Sequence, residues 1–171
     1  MNLEQQCQGI EILLTDVDGV LTDGGVILNN EGVESKQFHI RDGLGFKLWR
    51  QAGFKCGLIT GRNSQVVRLR AQELNMDIVR QGIQDKATVA QEVLKRFDLK
   101  PEQLAYVGDD LIDLGAIRLA GLGIAVADAV EEVKDAADYV TKTPGGKGAI
   151  REVIEVILKA KKVWNDIIHT Y

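Results

Sequence analysis

The chain is poor in the residues that would take it out of the ordinary globular class. Its 171 residues include two prolines and two cysteines, which leaves no Pro-rich linker, disulfide framework or zinc-type cysteine spacing. Cys56 lies in the apolar run KCGLIT and reads as a small buried hydrophobe. No apolar run approaches the roughly 20 residues that a membrane-spanning helix needs. The opening MNLEQQCQGI lacks the basic and apolar regions of a secretory signal. An excess of positive charge is missing too: the formal net charge is −4, which argues against a general affinity for nucleic acid or anionic membrane. The expectation is a cytoplasmic protein in a reducing compartment, folded as one domain over residues 1–171.

Apolar bursts and amphipathic stretches alternate along the chain. IEILLTDVD, FKCGLITG, MDIVRQ, QLAYVGDD, LGIAV and DYVT read as buried strands. DGLGFKLWRQAG, SQVVRLRAQELN, DKATVAQEVLKRF and DLIDLGAIRLAG read as the helices between them. Such alternation predicts right-handed βαβ units, hence an α/β fold with a doubly wound, mainly parallel sheet. Two segments depart from the pattern. VILNNEGVESKQFH, within an insert at about 25–39, carries a turn signal and reads as a β-hairpin; a lone hairpin is marginal in water, so it is expected to pack on something else. Residues 148–168 show one greasy helical face and are predicted to form a C-terminal helix after the flexible TPGGKG.

In open α/β sheets the ligand lies beyond the carboxyl ends of the strands, and the residues there are not bland. The first strand runs into Asp16 and Asp18, the second into Thr60, Gly61 and Arg62, and the fourth into Gly108, Asp109 and Asp110. Asp113 follows one turn into the next helix, and Lys86 opens the helix after the third strand. Carboxylates this close repel, and burial makes that worse unless a cation offsets it. Hard oxygen donors from two strand ends suit Mg²⁺. Phosphoryl transfer is the chemistry this set can do, with Asp16 as nucleophile and Asp18 as the acid and base. Thr60, nearby backbone amides and Lys86 would hold and neutralise the phosphoryl oxygens. Taken singly, each motif has a plainer reading as a turn, a helix cap or a solvated lysine. Their joint order at strand ends and helix starts carries the argument.

DVDGVLTDG, ITGR, a lysine opening a helix and YVGDDLIDL resemble the four motifs of the haloacid-dehalogenase superfamily of phosphohydrolases. The resemblance runs from about residue 10 to 155. More narrowly, the hairpin insert, HIRDGLG, ADYVT and GGKGA are similar to the 3-deoxy-D-manno-octulosonate 8-phosphate phosphatases of lipopolysaccharide precursor synthesis, which lack a cap domain. The resemblance implies a Rossmann-like sheet without a cap and Mg²⁺ held by Asp16, Asp109 and the backbone carbonyl of Asp18, with Asp110 and Asp113 behind them. It implies substrate contacts from Asp18, His39, Ile40, Arg41, Asp42, Gly43, Gly61, Arg62, Arg70 and Lys86, with Lys47 as a further candidate. It also implies a homotetramer in which the hairpin and C-terminal segment help build a neighbour's site.

A sister group cleaves a nine-carbon sugar-acid 9-phosphate, and there a glutamate typically follows TG. Here that residue is Arg62, with Arg70 further on; two guanidinium forks suit a carboxylate-bearing substrate and favour the eight-carbon acid. The plain alternative for Arg70 is a helix-surface ion pair with Glu73. Two readings from other classes fit less well. A phosphorylation-switch receiver domain would end a middle strand in the phosphoacceptor, where this chain has Thr60. A non-catalytic assembly domain would have lost part of the set Asp16, Asp18, Thr60, Lys86 and Asp109. His169 and the last residues, KKVWNDIIHTY, match no functional pattern.

Overall fold

All six apolar bursts become parallel strands of one sheet. The computed structural model describes residues 2–170. In chain order the strands are β1 (Ile12–Thr15), β2 (Ile27–Leu28), β3 (Glu34–Ser35), β4 (Lys55–Ile59), β5 (Ile78–Arg80), β6 (Leu104–Gly108), β7 (Leu122–Ala125) and β8 (Tyr139–Val140). The helices are α1 (Leu3–Gly9), α2 (Ile40–Gln51), α3 (Gln65–Glu73), α4 (Lys86–Arg96), α5 (Leu114–Leu119), α6 (Glu131–Ala136), α7 (Ala149–Ala160) and α8 (Trp164–Ile168). The sheet order is β5-β4-β1-β6-β7-β8, every pair parallel. From β1 the chain winds outward through β4 and β5, returns to β6 on the other side, and winds outward again. The reversal falls between β1 and β6, where such sheets bind ligands. Both strands are buried at every position, as central parallel strands covered on two faces should be.

The helices form two packed groups, α1, α2 and α7 in one and α4, α5 and α6 in the other. In α7 the predicted greasy face is real: Ile150, Val153, Ile154, Ile157 and Leu158 are buried. Gly148, in the left-handed region before α7, gives it no side-chain cap. Asp42 of α2 supplies one from outside, its Oδ1 accepting the Arg151 N–H at 2.8 Å, where an anion suits the helix dipole. The C-terminal helix expected over 148–168 is in fact two, α7 and α8, because the chain turns at Lys162 with φ +62°. Two short helices, α1 and α6, were not expected.

Between β1 and α2 the chain inserts the expected hairpin, β2 antiparallel to β3. Asn29 shapes its turn: Oδ1 accepts the N–H of Glu31 at 3.0 Å and of Val33 at 2.8 Å. Val26, Ile27, Leu28 and Val33 at the tip are all more than half exposed. Among the described residues no helix is long and apolar enough to cross a membrane.

Candidate active site

The site grows out of the β1–β6 pairing. Thr15 sits beside Val107 in register, and the Asp16 N–H donates to Val107 O at 2.9 Å. This fixes Asp16 at the end of one strand and Asp109 just past the end of its neighbour. After Asp18 the chain must turn sharply, and Gly19 allows it with φ +95°. A Cβ at Gly19 would lie 2.0 Å from Asp109 Oδ2, so glycine also makes the room into which the Asp109 carboxylate fits. Across the loop, the Gly146 N–H donates to Val20 O at 2.9 Å, which ties the GGKG segment to the first motif.

Lys86, the first residue of α4, reaches the centre from the far side. Its side chain is 1% exposed, with Nζ 2.8 Å from Asp16 Oδ1 and 2.7 Å from Asp113 Oδ1. Burial pulls its pKa down, but Asp16 and Asp113 outweigh that and hold it raised, so it is a cation. Asp113 is wholly committed. Its Oδ1 also accepts the Tyr106 hydroxyl at 2.8 Å, and its Oδ2 accepts the N–H groups of Asp109 at 3.1 Å and Asp110 at 3.4 Å. It organises the loop and orients the lysine. The Asp110 carboxylate is exposed and caps the 3-10 turn Leu111–Asp113 through the Leu111 N–H at 2.7 Å.

Asp16, Asp109 and Asp113 each offer an oxygen within 4.8 Å of the others. Burial raises Asp16 to about 6, against the pull of Lys86. Burial, then Asp16 and Asp113, raise Asp109 to about 8. One lysine does not balance three carboxylates, two of them buried and the third, Asp109, half-buried. The Asp109 Oδ1 is buried with no hydrogen-bond partner, a costly arrangement that a cation relieves. The donors are all hard oxygens, so the residues fit Mg²⁺.

Thr60 is 2% exposed at the end of β4, and its Oγ1 accepts the Arg62 N–H at 3.3 Å. Gly61 follows, and the Arg62 side chain reaches toward the hairpin, donating to Glu34 Oε1 at 2.9 Å. Asp18 is held through its side chain by Lys36. Thus Asp16, Asp18, Thr60, Gly61, Arg62, Lys86 and Asp109 all stand at the carboxyl ends of β1, β4 and β6 or at the start of α4. The remaining residues lie elsewhere. Ile40, Gly43, Lys47 and Arg70 line a groove of about 490 Å³ on the α2 and α3 surface. There Arg70 pairs with Glu73 at 2.8 Å, a helix-surface ion pair. Arg41 opens onto a second groove, of about 760 Å³, with Lys142, Lys147 and Arg151. His39 and Asp42 turn inward, and His39 Nδ1 and Asp42 Oδ2 are buried without partners. Sequence reasoning missed Tyr106, Glu34, Lys36, Ser64 and Gln81. Only the mid-strand tyrosine of YVGDD had a signal, a polar atom at a buried position.

The family model of haloacid dehalogenase-like hydrolases matches residues 59–154. The chain belongs to this family. Among individual relatives, it is 41% identical to the 3-deoxy-D-manno-octulosonate 8-phosphate phosphatase of Haemophilus influenzae over 159 residues, 93% of this chain and 88% of that protein. Its fold matches the same-named phosphatase of Moraxella catarrhalis, solved with magnesium ion, phosphate ion and KDO. There the TM-score is 0.96 and identity 42%, with 98% of this chain and 96% of that chain covered. The cobalt-bound Haemophilus influenzae structure matches with TM-score 0.90 and 40% identity, over 94% of this chain and 96% of that one. This family member thus has a six-stranded parallel sheet in a fold that matches theirs, with no cap domain among the described residues.

Proposed function

We propose that this hydrolase releases phosphate from 3-deoxy-D-manno-octulosonate 8-phosphate, a step in lipopolysaccharide precursor synthesis, with Mg²⁺ as cofactor. The observation that carries the reading is the buried Asp16–Lys86–Asp113 arrangement beside the unpartnered Asp109 oxygen. It is supported by a near-identical fold solved with Mg²⁺, phosphate and KDO. Asp16, Asp109 and the Asp18 carbonyl would hold Mg²⁺, which would supply positive charge against the phosphate.

The chain's own groups carry the proton and bond changes. Lys86 engages Asp16 Oδ1, which leaves the other carboxylate oxygen to attack phosphorus. As the Asp16–phosphorus bond forms, the bond to the sugar oxygen breaks, and the Asp18 carboxyl gives its proton to that oxygen. Asp18, now a carboxylate, takes a proton from water; the water attacks phosphorus, the acyl phosphate breaks, and Asp16 and inorganic phosphate are released. Thr60 and the amides beside it receive the phosphoryl oxygens, and Lys86 stabilises the charge on them. Arg62, with Arg70 and the loop His39–Gly43, reads the sugar acid. Asp16→Asn keeps the shape but is a far poorer nucleophile, so it should abolish turnover with folding intact. Near-normal turnover in that variant would remove the covalent mechanism.

The assembly we favour is a homotetramer, with the hairpin and C-terminal segment of one chain beside a neighbour's site. The exposed apolar tip Val26, Ile27, Leu28 and Val33 supports it, as do substrate-reading residues set in surface grooves away from Asp16. Sedimentation at a monomer's mass would contradict it. We take the enzyme to work in the cytoplasm, which activity in a membrane-free cytosolic fraction would test.

A further inference from the structure

At its base the hairpin carries Glu34 and Lys36, charged residues that the mechanism above leaves unused. Lys36 lies one residue beyond β3, on an insert whose strands are two residues each. A lysine there would ordinarily extend into water. Instead its side chain is 1% exposed, its Nζ donates to Asp18 Oδ1, and it lies 3.3 Å from Glu34 Oε1. Glu34 in turn accepts from Arg62 Nη2 at 2.9 Å and from the Ser64 hydroxyl. Ser64 caps α3, and its N–H is held by Gln81 Oε1 at 2.6 Å. One polar chain, Asp18–Lys36–Glu34–Arg62 and Ser64, therefore joins the loop after β1 to the loop after β4.

Stability does not account for this chain. Withdrawing an ammonium from water costs several kcal/mol, and a buried pair commonly recovers no more than that. The hairpin has little apolar burial of its own to offset the cost, since its tip faces outward. What the arrangement does achieve is geometric. Asp18 immediately precedes the turn at Gly19, and without a partner its side chain would have a free choice of rotamer. With Oδ1 engaged by Lys36, its other carboxyl oxygen is left in a defined place.

We propose that Lys36, anchored by Glu34, is a positioning residue that sets the Asp18 carboxyl for proton delivery to the leaving sugar oxygen, and that the hairpin base is thereby part of the enzyme's proton-transfer machinery. The inference rests on the phosphatase reading. The proton leaves from the Asp18 oxygen that Lys36 does not hold.

The test exploits leaving groups that differ in their need for a proton. Lys36→Met, Lys36→Arg and Glu34→Gln are compared with wild type on the eight-carbon sugar-acid phosphate and on p-nitrophenyl phosphate, whose phenolate leaves unprotonated. The first-turnover burst of alcohol or phenol isolates the bond-breaking step. For Lys36→Met the sugar burst rate should fall about 10- to 100-fold, the range that follows from misplacing a general acid. The p-nitrophenol burst should stay within about threefold and KM within about twofold. Lys36→Arg should recover most of the loss, and Glu34→Gln should show the same selectivity at smaller size. Mg²⁺ affinity, measured by calorimetry with the metal alone, should be unchanged.

Equal loss on both substrates, a change confined to KM, or weakened Mg²⁺ binding would overturn the positioning role. If Lys36→Met does not fold, Glu34→Gln still decides it, since an equal loss on both leaving groups, or no loss on either, refutes it. Wild type that releases phosphate from neither compound refutes the phosphatase reading instead, a result distinct from all of these.

Discussion

Replacing Lys86 by methionine should separate the electrostatics of this site from its packing. Methionine fills similar volume but withdraws the one ammonium that faces Asp16 at 2.8 Å and Asp113 at 2.7 Å. The side chains are 1%, 8% and 0% exposed, so solvent does not screen the loss. Breaking a buried pair by removing one partner typically costs about 3–5 kcal/mol, because the other charge stays buried and uncompensated. For a chain of this size that is a fall in Tm on the order of 6–20 °C. The carboxyls escape part of the penalty by taking up protons, so the deficit relative to wild type should widen from pH 6 to pH 9. Saturating Mg²⁺ should narrow it, because the cation replaces some of the missing charge. Urea melts in EDTA and in Mg²⁺ at the two pH values measure all three effects. A variant within about 1 kcal/mol of wild type in EDTA at pH 9 would refute the view that this lysine offsets the charge of Asp16 and Asp113.

Two further outcomes follow from the same centre. In EDTA, Asp109 and Asp16 have folded pKa values raised above the ordinary carboxyl value, chiefly by burial. Their contribution to stability is full below about pH 4 and is lost as pH rises through about 6 and about 8. Glu34, Glu152 and Glu155 are shifted down, so they titrate below this window. Metal-free Tm should therefore decline between pH 5 and pH 9 and flatten with saturating Mg²⁺; a Tm that climbs with pH in EDTA would contradict the assignment. Gly19→Ala puts a Cβ 2.0 Å from Asp109 Oδ2 at φ +95°, and strain with overpacking should cost about 2–4 kcal/mol. Mg²⁺ affinity should fall with it in calorimetry, and unchanged affinity would mean that the loop relaxes without moving Asp109.

What the sequence made legible was whatever a period or a strand end can carry. The bursts that become β1, β6 and β7 are apolar enough to be buried on both faces, and the residues at the strand ends and the following helix start had to converge, so Asp16, Thr60, Lys86 and Asp109 could be grouped from the sequence. The helices α1 and α6 escaped because seven and six residues are too few to display a period of 3.6. The break between α7 and α8 escaped because the apolar spacing continues through it while the backbone at Lys162 turns. Asp113 was expected behind the metal ligands. The partners that saturate it, Lys86 and Tyr106, come from an element 27 residues upstream and from mid-strand. Least legible was the hairpin base. Lys36 meets Asp18 across 18 residues and Glu34 meets Ser64 across 30, and no local pattern encodes the path of a loop.

The most direct test of the central claim is phosphate release in Mg²⁺ and in EDTA from four compounds: the eight-carbon and nine-carbon sugar-acid phosphates, a hexose phosphate and p-nitrophenyl phosphate. The site as described predicts release that requires the metal and is strongest with the eight-carbon acid. Release that persists in EDTA, preference for another compound, or none from a folded sample would contradict it.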